Sequence, residues 1–351
     1  MGCYATRAPQ DLAALPRVIH VLTDKRGLPE LVRQIARTEA PSGIGSFGRL
    51  HRAYVKVQDG CTMGCSYCII PKVRPVLVSR PAAEVLDEIR RLVDFGHREI
   101  VLTGIHLGWY GAGESGEGGA APGLAALVRQ ILALDGDFRV RLSSLEAPEI
   151  SPALLDLMAE APDRLCPHLH IPLQSGSDAV LERMRRRWTV GQFAARCEEI
   201  RGTLDEPALT TDVIVGFPGE TEADFASTCR VVKEVAFSKV HVFRFSAREG
   251  TLAASMPGQL PPPLKKERAE ALAAIARQLR RDYCKRLLRK DLQVVAESFL
   301  EGRTRALRGT ADRYVSVQFP GGPELLDRLV RVTAESVADD YLLATGVRPS
   351  R

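Results

Sequence analysis

No stretch of the 351 residues approaches the roughly 18–20 consecutive apolar positions of a membrane-spanning helix. The first residues also lack the basic segment and hydrophobic core of a secretory leader. The chain is accordingly read as cytoplasmic, with no membrane partner. Paired metal-binding signatures are scarce as well. Of eight cysteines, Cys166, Cys197, Cys229 and Cys284 stand alone, and no second Cys-x2-Cys or His-x3-His follows the one cluster, which weakens a zinc reading. Scattered cysteines in a chain this long also argue against a disulfide scaffold. Charge is nearly balanced, with a net +5, so overall charge alone establishes no polyanionic partner. Hydrophobic content of 45% against 26% charged residues describes an ordinary globular chain with room for two domains.

What is present is the run Asp59-Gly60-Cys61-Thr62-Met63-Gly64-Cys65-Ser66-Tyr67-Cys68. Its Cys-x3-Cys-x2-Cys spacing puts three thiolates on one short loop. A cubane iron-sulfur cluster takes one ligand per iron, so three cysteines leave one iron open to something other than protein.

Between residues 54 and 245, short apolar runs alternate with amphipathic stretches, the pattern of repeated βα units on a parallel sheet. Strands are expected at 54–58, 99–103, 139–145, 168–173, 209–215 and 239–245. The apolar stripes Val85, Ile89, Leu92, Val93 and Leu124, Leu127, Val128, Ile131 mark helices between them. The fold class is therefore α/β, a partial six-stranded (βα)6 barrel with the cysteine loop at the carboxyl end of its first strand, where such barrels place their chemistry. Thr103-Gly104-Ile105-His106, Ser143-Ser144-Leu145-Glu146, Pro172-Leu173-Gln174 and Gly216-Phe217-Pro218-Gly219-Glu220-Thr221 follow later strands. Gly and Pro there are simply how a βα turn is built, yet polar residues converging on one rim suit a ligand with a carboxylate, a ribose and an adenine. Ser144, Glu146 and Gln174 are the candidates, and Thr221 with Asp224 reads as a helix cap. His106 belongs to the same rim. His168 and His170 share one strand face and read as packing residues. Residues 111–123 read as a mobile loop above that rim.

From Leu264 to Lys290, ten lysines and arginines meet three acids. Leu272, Ile275, Leu279, Tyr283 and Leu287 recur at helical spacing. The segment is either a solvated helix packed by its apolar face or a basic ridge for phosphates. Beyond it, short strands at 292–299, 314–319, 328–335 and 341–345 imply a small antiparallel β-barrel. Arg303, Arg305, Arg308, Arg313 and Tyr314 are its candidate RNA-binding residues.

The cysteine triplet, with Tyr67 in the aromatic position before its last member, resembles the signature of radical S-adenosylmethionine enzymes. The wider series Gln58-Asp59-Gly60-Cys61, Cys68-Ile69-Ile70-Pro71, residues 101–108, Arg141-Leu142-Ser143-Ser144-Leu145-Glu146, residues 170–176, residues 212–221 and His241-Val242-Phe243 resembles the methylthiotransferases, in the branch acting on N6-threonylcarbamoyladenosine in tRNA. The resemblance implies that Cys61, Cys65 and Cys68 hold a 4Fe-4S cluster whose open iron chelates S-adenosyl-L-methionine. Tyr67, Gly104, Ser144, Glu146 and Gln174 then line the cofactor. One electron from a low-potential donor cleaves the cofactor to a 5'-deoxyadenosyl radical, and C2 of the adenine beside the anticodon receives a methylthio group. The carboxyl-terminal barrel resembles the TRAM domain, which contacts tRNA. Residues 1–40 then read as the tail of an amino-terminal cluster domain, 47–263 as the radical core, 264–290 as the basic connecting helix and 291–351 as the TRAM-like domain.

In that family a second, auxiliary 4Fe-4S cluster held by three amino-terminal cysteines is implied to supply the sulfur. Cys3 matches one of the three, so the expectation is that this cluster forms only in a full-length form. Arg74-Pro75 where relatives carry Arg-Gly, and Arg244-Phe245 where they carry Pro-Tyr, are further departures. Rival expectations are the same chemistry on isopentenyladenosine in tRNA or on a ribosomal protein aspartate, and an inactive RNA-binding remnant.

Overall fold

The computed structural model describes residues 2–24, 27–36, 44, 51–112, 114–115, 123–303 and 305–349. The expected boundary near residues 40–47 and most of the loop at 111–123 lie outside them.

β1 (Arg52–Asp59) is flanked by β2 (Val78–Ser79), which runs antiparallel to it, and by β3 (Glu99–Gly104), which runs parallel. β4 (Glu114–Ser115) extends the edge beside β2, and β5 (Arg139–Leu142) lies parallel to β3. β6 (His168–His170), β7 (Ala208–Val215) and β8 (Lys239–Arg244) form a second parallel set. A parallel bridge between Val140 and Leu165 joins the two sets, helped by the Leu145 N–H donating to the His170 carbonyl at 3.0 Å. Together β1, β3, β5, β6, β7 and β8 make a curled, six-stranded half-barrel.

Period-two alternation decides its two faces. On β1, Ala53, Val55 and Val57 are fully buried against the helices, whereas Tyr54 and Lys56 are exposed on the lumen side. On β7, Thr211, Val213 and Val215 take the buried face and Thr210, Asp212 and Ile214 the lumen. The outer helices carry the expected stripes. Ala82–Phe95 buries Val85, Ile89, Leu92 and Val93 and ends where Gly96 turns left-handed, its N–H donating to the Leu92 and Val93 carbonyls. Glu222–Val235 begins with a capping box: Thr221 Oγ1 accepts from the Asp224 N–H, and the Asp224 carboxylate accepts from the Thr221 N–H.

The helix Pro262–Arg286 leads into a closed barrel of β9 (Asp291–Phe299), β10 (Ala306–Ala311), β11 (Ser316–Pro320), β12 (Leu329–Ala338) and β13 (Tyr341–Pro349), in the order β10-β11-β13-β12-β9. β10 was not anticipated. Its sequence Ala-Leu-Arg-Gly-Thr-Ala is poor in β-formers, and Gly309 is required by a close approach: a Cβ there would lie 2.1 Å from the Val295 carbonyl oxygen.

Part of the basic helix is committed to structure. Arg268 is buried and paired with Glu220 at 2.6 Å, Arg280 donates to the Asp340, Ser238 and Tyr314 carbonyls, and Arg286 pairs with Glu206. Its apolar residues Tyr283 and Leu287 join the core of the small barrel. The apolar face is packed as the first alternative expects, while Lys266, Arg277, Arg281, Lys285 and Arg289 stay exposed.

The small barrel stoppers the amino-terminal end of the half-barrel. Glu99, fully buried, accepts from Arg139 Nε at 2.7 Å and Arg141 Nε at 2.8 Å, and these guanidiniums donate onward to the carbonyls of Gln293, Thr310, Ala311 and Asp312. The Tyr314 ring sits among them, 4.8 Å from His168, 5.2 Å from the Arg141 guanidinium and 5.6 Å from Lys239 Nζ. Two of the five expected RNA-binding residues are therefore corrected. Arg313 is buried, paired with Asp312 at 2.8 Å and donating to the Glu206 carbonyl, and Tyr314 faces the barrel floor. A basic-aromatic turn reads the same whether it meets RNA or a neighbouring domain. Arg303, Arg305 and Arg308 are exposed.

Candidate active site

The cysteine loop is fixed from below by Gln58, the penultimate residue of β1. Its buried side chain donates from Nε2 to the Asp59 and Gly60 carbonyls at 2.9 and 2.8 Å, and its Oε1 accepts from the His106 N–H at 2.8 Å. Gly60 has φ +85°, and a Cβ would lie 1.9 Å from the Val76 carbonyl oxygen, so only glycine lets the chain turn there. Gly104 is needed for contact too, since its Cβ would meet Gln58 Oε1 at 3.0 Å and Leu107 Cα at 3.1 Å.

All three cysteines are free. Burial pushes the Cys68 thiol up, against the pull of the Ile70 N–H that donates to its sulfur at 3.4 Å. A bound cation would reverse that preference and hold the thiolates ionised. Three free cysteines at Cys-x3-Cys-x2-Cys spacing on one loop suit a cluster with a separate iron for each thiolate. The donor set fits the iron-sulfur group.

Arg186 ties the loop to the rim. Its buried guanidinium donates to Glu146 Oε2 at 2.5 Å, Tyr67 Oη at 3.3 Å and Cys65 Sγ at 3.5 Å, and it lies 3.9 Å over the Trp188 ring. Burial pushes the Glu146 carboxyl and the Tyr67 phenol up. Arg186 escaped the sequence reading because Arg185-Arg186-Arg187 looks like a solvated charge run. His106 does face the loop: Nδ1 lies 3.6 Å from Cys61 Sγ, and Nε2 meets Glu149, which also escaped notice. Burial opposes its charge, but the Cys61 and Glu149 partners raise it to about 9. Ser144 and Gln174 both have left-handed backbones, with φ of 63° and 66°. For side-chain-bearing residues this conformation costs energy and persists where the surroundings impose it. At Gln174 bonds to β7 hold it, as the Gln174 N–H donates to the Asp212 carbonyl and its own carbonyl accepts from the Ile214 N–H.

A cavity of ≈430 Å³ opens beside the loop. Tyr67 and Cys68 wall one side, and Gln174, Asp212, Ile214 and Phe243 the other. Cys3 lies on the opposite flank, where Arg74 connects it to the loop: Arg74 Nε donates to Cys3 Sγ at 3.3 Å, its Nη1 pairs with Asp59 at 2.7 Å, and its carbonyl accepts from the Cys61 N–H. The predicted cofactor residues thus gather on one rim, and Arg303, Arg305 and Arg308 sit on the separate small barrel.

The Radical SAM superfamily profile matches residues 55–232. Threonylcarbamoyladenosine tRNA methylthiotransferase MtaB of Bacillus subtilis is 37% identical over 353 residues, covering 94% of this chain and 76% of that protein. The Thermotoga maritima protein of the same name is 37% identical, with 91% and 75% covered. A tRNA-2-methylthio-N(6)-dimethylallyladenosine synthase of Syntrophotalea carbinolica is 39% identical but covers 80% of this chain and 63% of its own length.

Proposed function

Because the chain belongs to the radical SAM superfamily, and within it to the threonylcarbamoyladenosine tRNA methylthiotransferases, we propose that it installs a methylthio group at C2 of N6-threonylcarbamoyladenosine beside the anticodon of tRNA. The observation that carries the chemistry is the loop of three cysteines at the carboxyl end of β1, with Cys61 and Cys65 buried and the half-buried Cys68 opening on the cavity it shares with Gln174. Cys61, Cys65 and Cys68 would hold a 4Fe-4S cluster there, which together with S-adenosyl-L-methionine and a low-potential electron donor would supply the one-electron radical chemistry. The chain's own residues prepare that site. Arg186 locks Tyr67 and Glu146 into one orientation, Gln58 sets the height of the loop, and the floor of charged residues around Tyr314 closes the far end of the barrel. The 37% identity to two MtaB proteins over about three quarters of their length supports the threonylcarbamoyl branch.

Cys3 belongs, in this proposal, to the auxiliary cluster that supplies sulfur. Its support is the shared contact with Arg74, which places Cys3 on the flank of the same loop. Arg303, Arg305 and Arg308 contact tRNA phosphates. No helix among the described residues is long and apolar enough to cross a membrane, and the proposed tRNA substrate supports a cytoplasmic location. The protein is reconstituted anaerobically with iron and sulfide, reduced with dithionite and supplied with S-adenosyl-L-methionine. 5'-Deoxyadenosine is the expected product by mass spectrometry, and its absence would sink the radical chemistry. Nucleoside analysis of tRNA bearing threonylcarbamoyladenosine then tests the methylthio product.

A further inference from the structure

The lumen of the half-barrel holds a polar layer that neither the cluster nor the rim uses. β6, β7 and β8 are neighbours in register, with Asp212 opposite His241, and His170 one strand away. Their ligand atoms lie within 4.8 Å of one another, all three residues are half-buried, and Asp212 also lines the ≈430 Å³ cavity. The layer is ordered. Thr210 Oγ1 lies 3.0 Å from His170 Nδ1, which turns the other ring nitrogen to Asp212 Oδ2 at 3.3 Å. The imidazole of His241 makes no hydrogen bond among the described residues; its ring meets that of His170 edge-on at 6.0 Å. Lys239 stands one step below on the same face of β8, and Arg244 stands exposed at the cavity mouth.

Barrel interiors are ordinarily filled with layers of branched apolar side chains, and polar groups placed there cost free energy unless a partner satisfies them. We propose that His170, Asp212 and His241 form the subsite for the N6 side chain of the substrate nucleoside, a urea bearing a hydroxyl and a carboxylate. This rests on the substrate assigned above. The urea N–H groups and the hydroxyl donate to Asp212, and the carboxylate accepts from the imidazole of His241, with Lys239 or Arg244 supplying positive charge. An isopentenyl side chain has neither donor nor acceptor. It would bury this layer unpaired, and sites built around hydrogen bonds discriminate strongly against analogues that lack them.

The test measures binding of the cluster-reconstituted protein to anticodon stem-loop RNAs carrying adenosine, N6-isopentenyladenosine or N6-threonylcarbamoyladenosine. The threonylcarbamoyl RNA is expected to bind about tenfold or more tighter than the other two. His241→Leu and Asp212→Asn should each shrink that ratio to about twofold, and His241→Gln, which keeps an N–H donor, should restore part of it. Iron content of each variant confirms that its site has folded. A wild-type preference that survives both variants overturns the subsite and leaves the substrate reading intact. A wild type with no preference overturns the substrate reading as well. Two imidazoles and a carboxylate also suit a divalent transition metal. Zinc or extra iron, stoichiometric with the chain and lost in His241→Leu, would assign the layer to metal and overturn the proposal.

Discussion

Replacing Glu99 with Gln tests how the two barrels are joined. Glu99 is the acid paired with both the Arg139 and Arg141 guanidiniums, whose side chains are only 1% and 3% exposed, and Arg52 lies 3.6 Å away. Removing one partner of a buried ion pair leaves uncompensated charge and costs about 3–5 kcal/mol. With a urea slope of about 3 kcal/mol/M, the unfolding midpoint should fall by about 1–1.7 M. A pH signature accompanies it. Burial alone would raise the Glu99 carboxyl, but Arg141 and Arg139 hold it well below the usual carboxylate range. A carboxyl depressed in this way contributes its stability above the unfolded value of about 4.3 and loses it as the pH falls through the folded value. Wild-type stability should therefore fall more steeply than that of Glu99→Gln below about pH 5. Urea titrations monitored by circular dichroism at several pH values measure both effects. A variant within about 1 kcal/mol of wild type, with the same acid slope, would refute the assignment of this pair as the joint.

Three further outcomes are expected. Cys65→Ser should lower reconstituted iron from about four per chain toward background and abolish 5'-deoxyadenosine release, read by iron assay and mass spectrometry. Joint replacement of Arg303, Arg305 and Arg308 by Ala should weaken tRNA binding and flatten its salt dependence by up to ~2–3 in slope, whereas Arg313→Ala, which breaks the buried contact with Asp312, should lower thermal stability and leave that slope unchanged. Gly309→Ala drives a Cβ into the Val295 carbonyl and should destabilise the small barrel by about 1–3 kcal/mol, read from its thermal midpoint.

The half-barrel was legible because its strands and helices follow two clean periods. Val55 and Val57 alternate with Tyr54 and Lys56, while Val85, Ile89 and Leu92 recur at helical steps. The cysteine loop was legible because its chemistry is local. What escaped depends on partners far away in sequence. Arg186 joins Tyr67 and Glu146, 119 and 40 residues away, and nothing in its own neighbourhood distinguishes it from Arg185. The charged floor was hidden for the same reason, since Glu99, Arg139 and Arg141 at strand starts resemble ordinary solvent-facing ends. β10 was lost because its glycine is selected by a neighbour's carbonyl and not by strand propensity.

The stoppered floor sets how this protein can be taken apart. A fragment ending near residue 290 would open Arg139, Arg141 and Glu99 to water and strip the guanidiniums of the carbonyls they now contact. The catalytic half is therefore not expected to survive as a minimal enzyme. A chimera carrying a relative's small barrel must transplant the turn Asp312-Arg313-Tyr314 together with its partners Arg141 on β5, His168 on β6 and the Asp205 and Glu206 carbonyls, and must keep Arg280, Tyr283 and Leu287 of the connecting helix, because the graft boundary runs through all of those contacts.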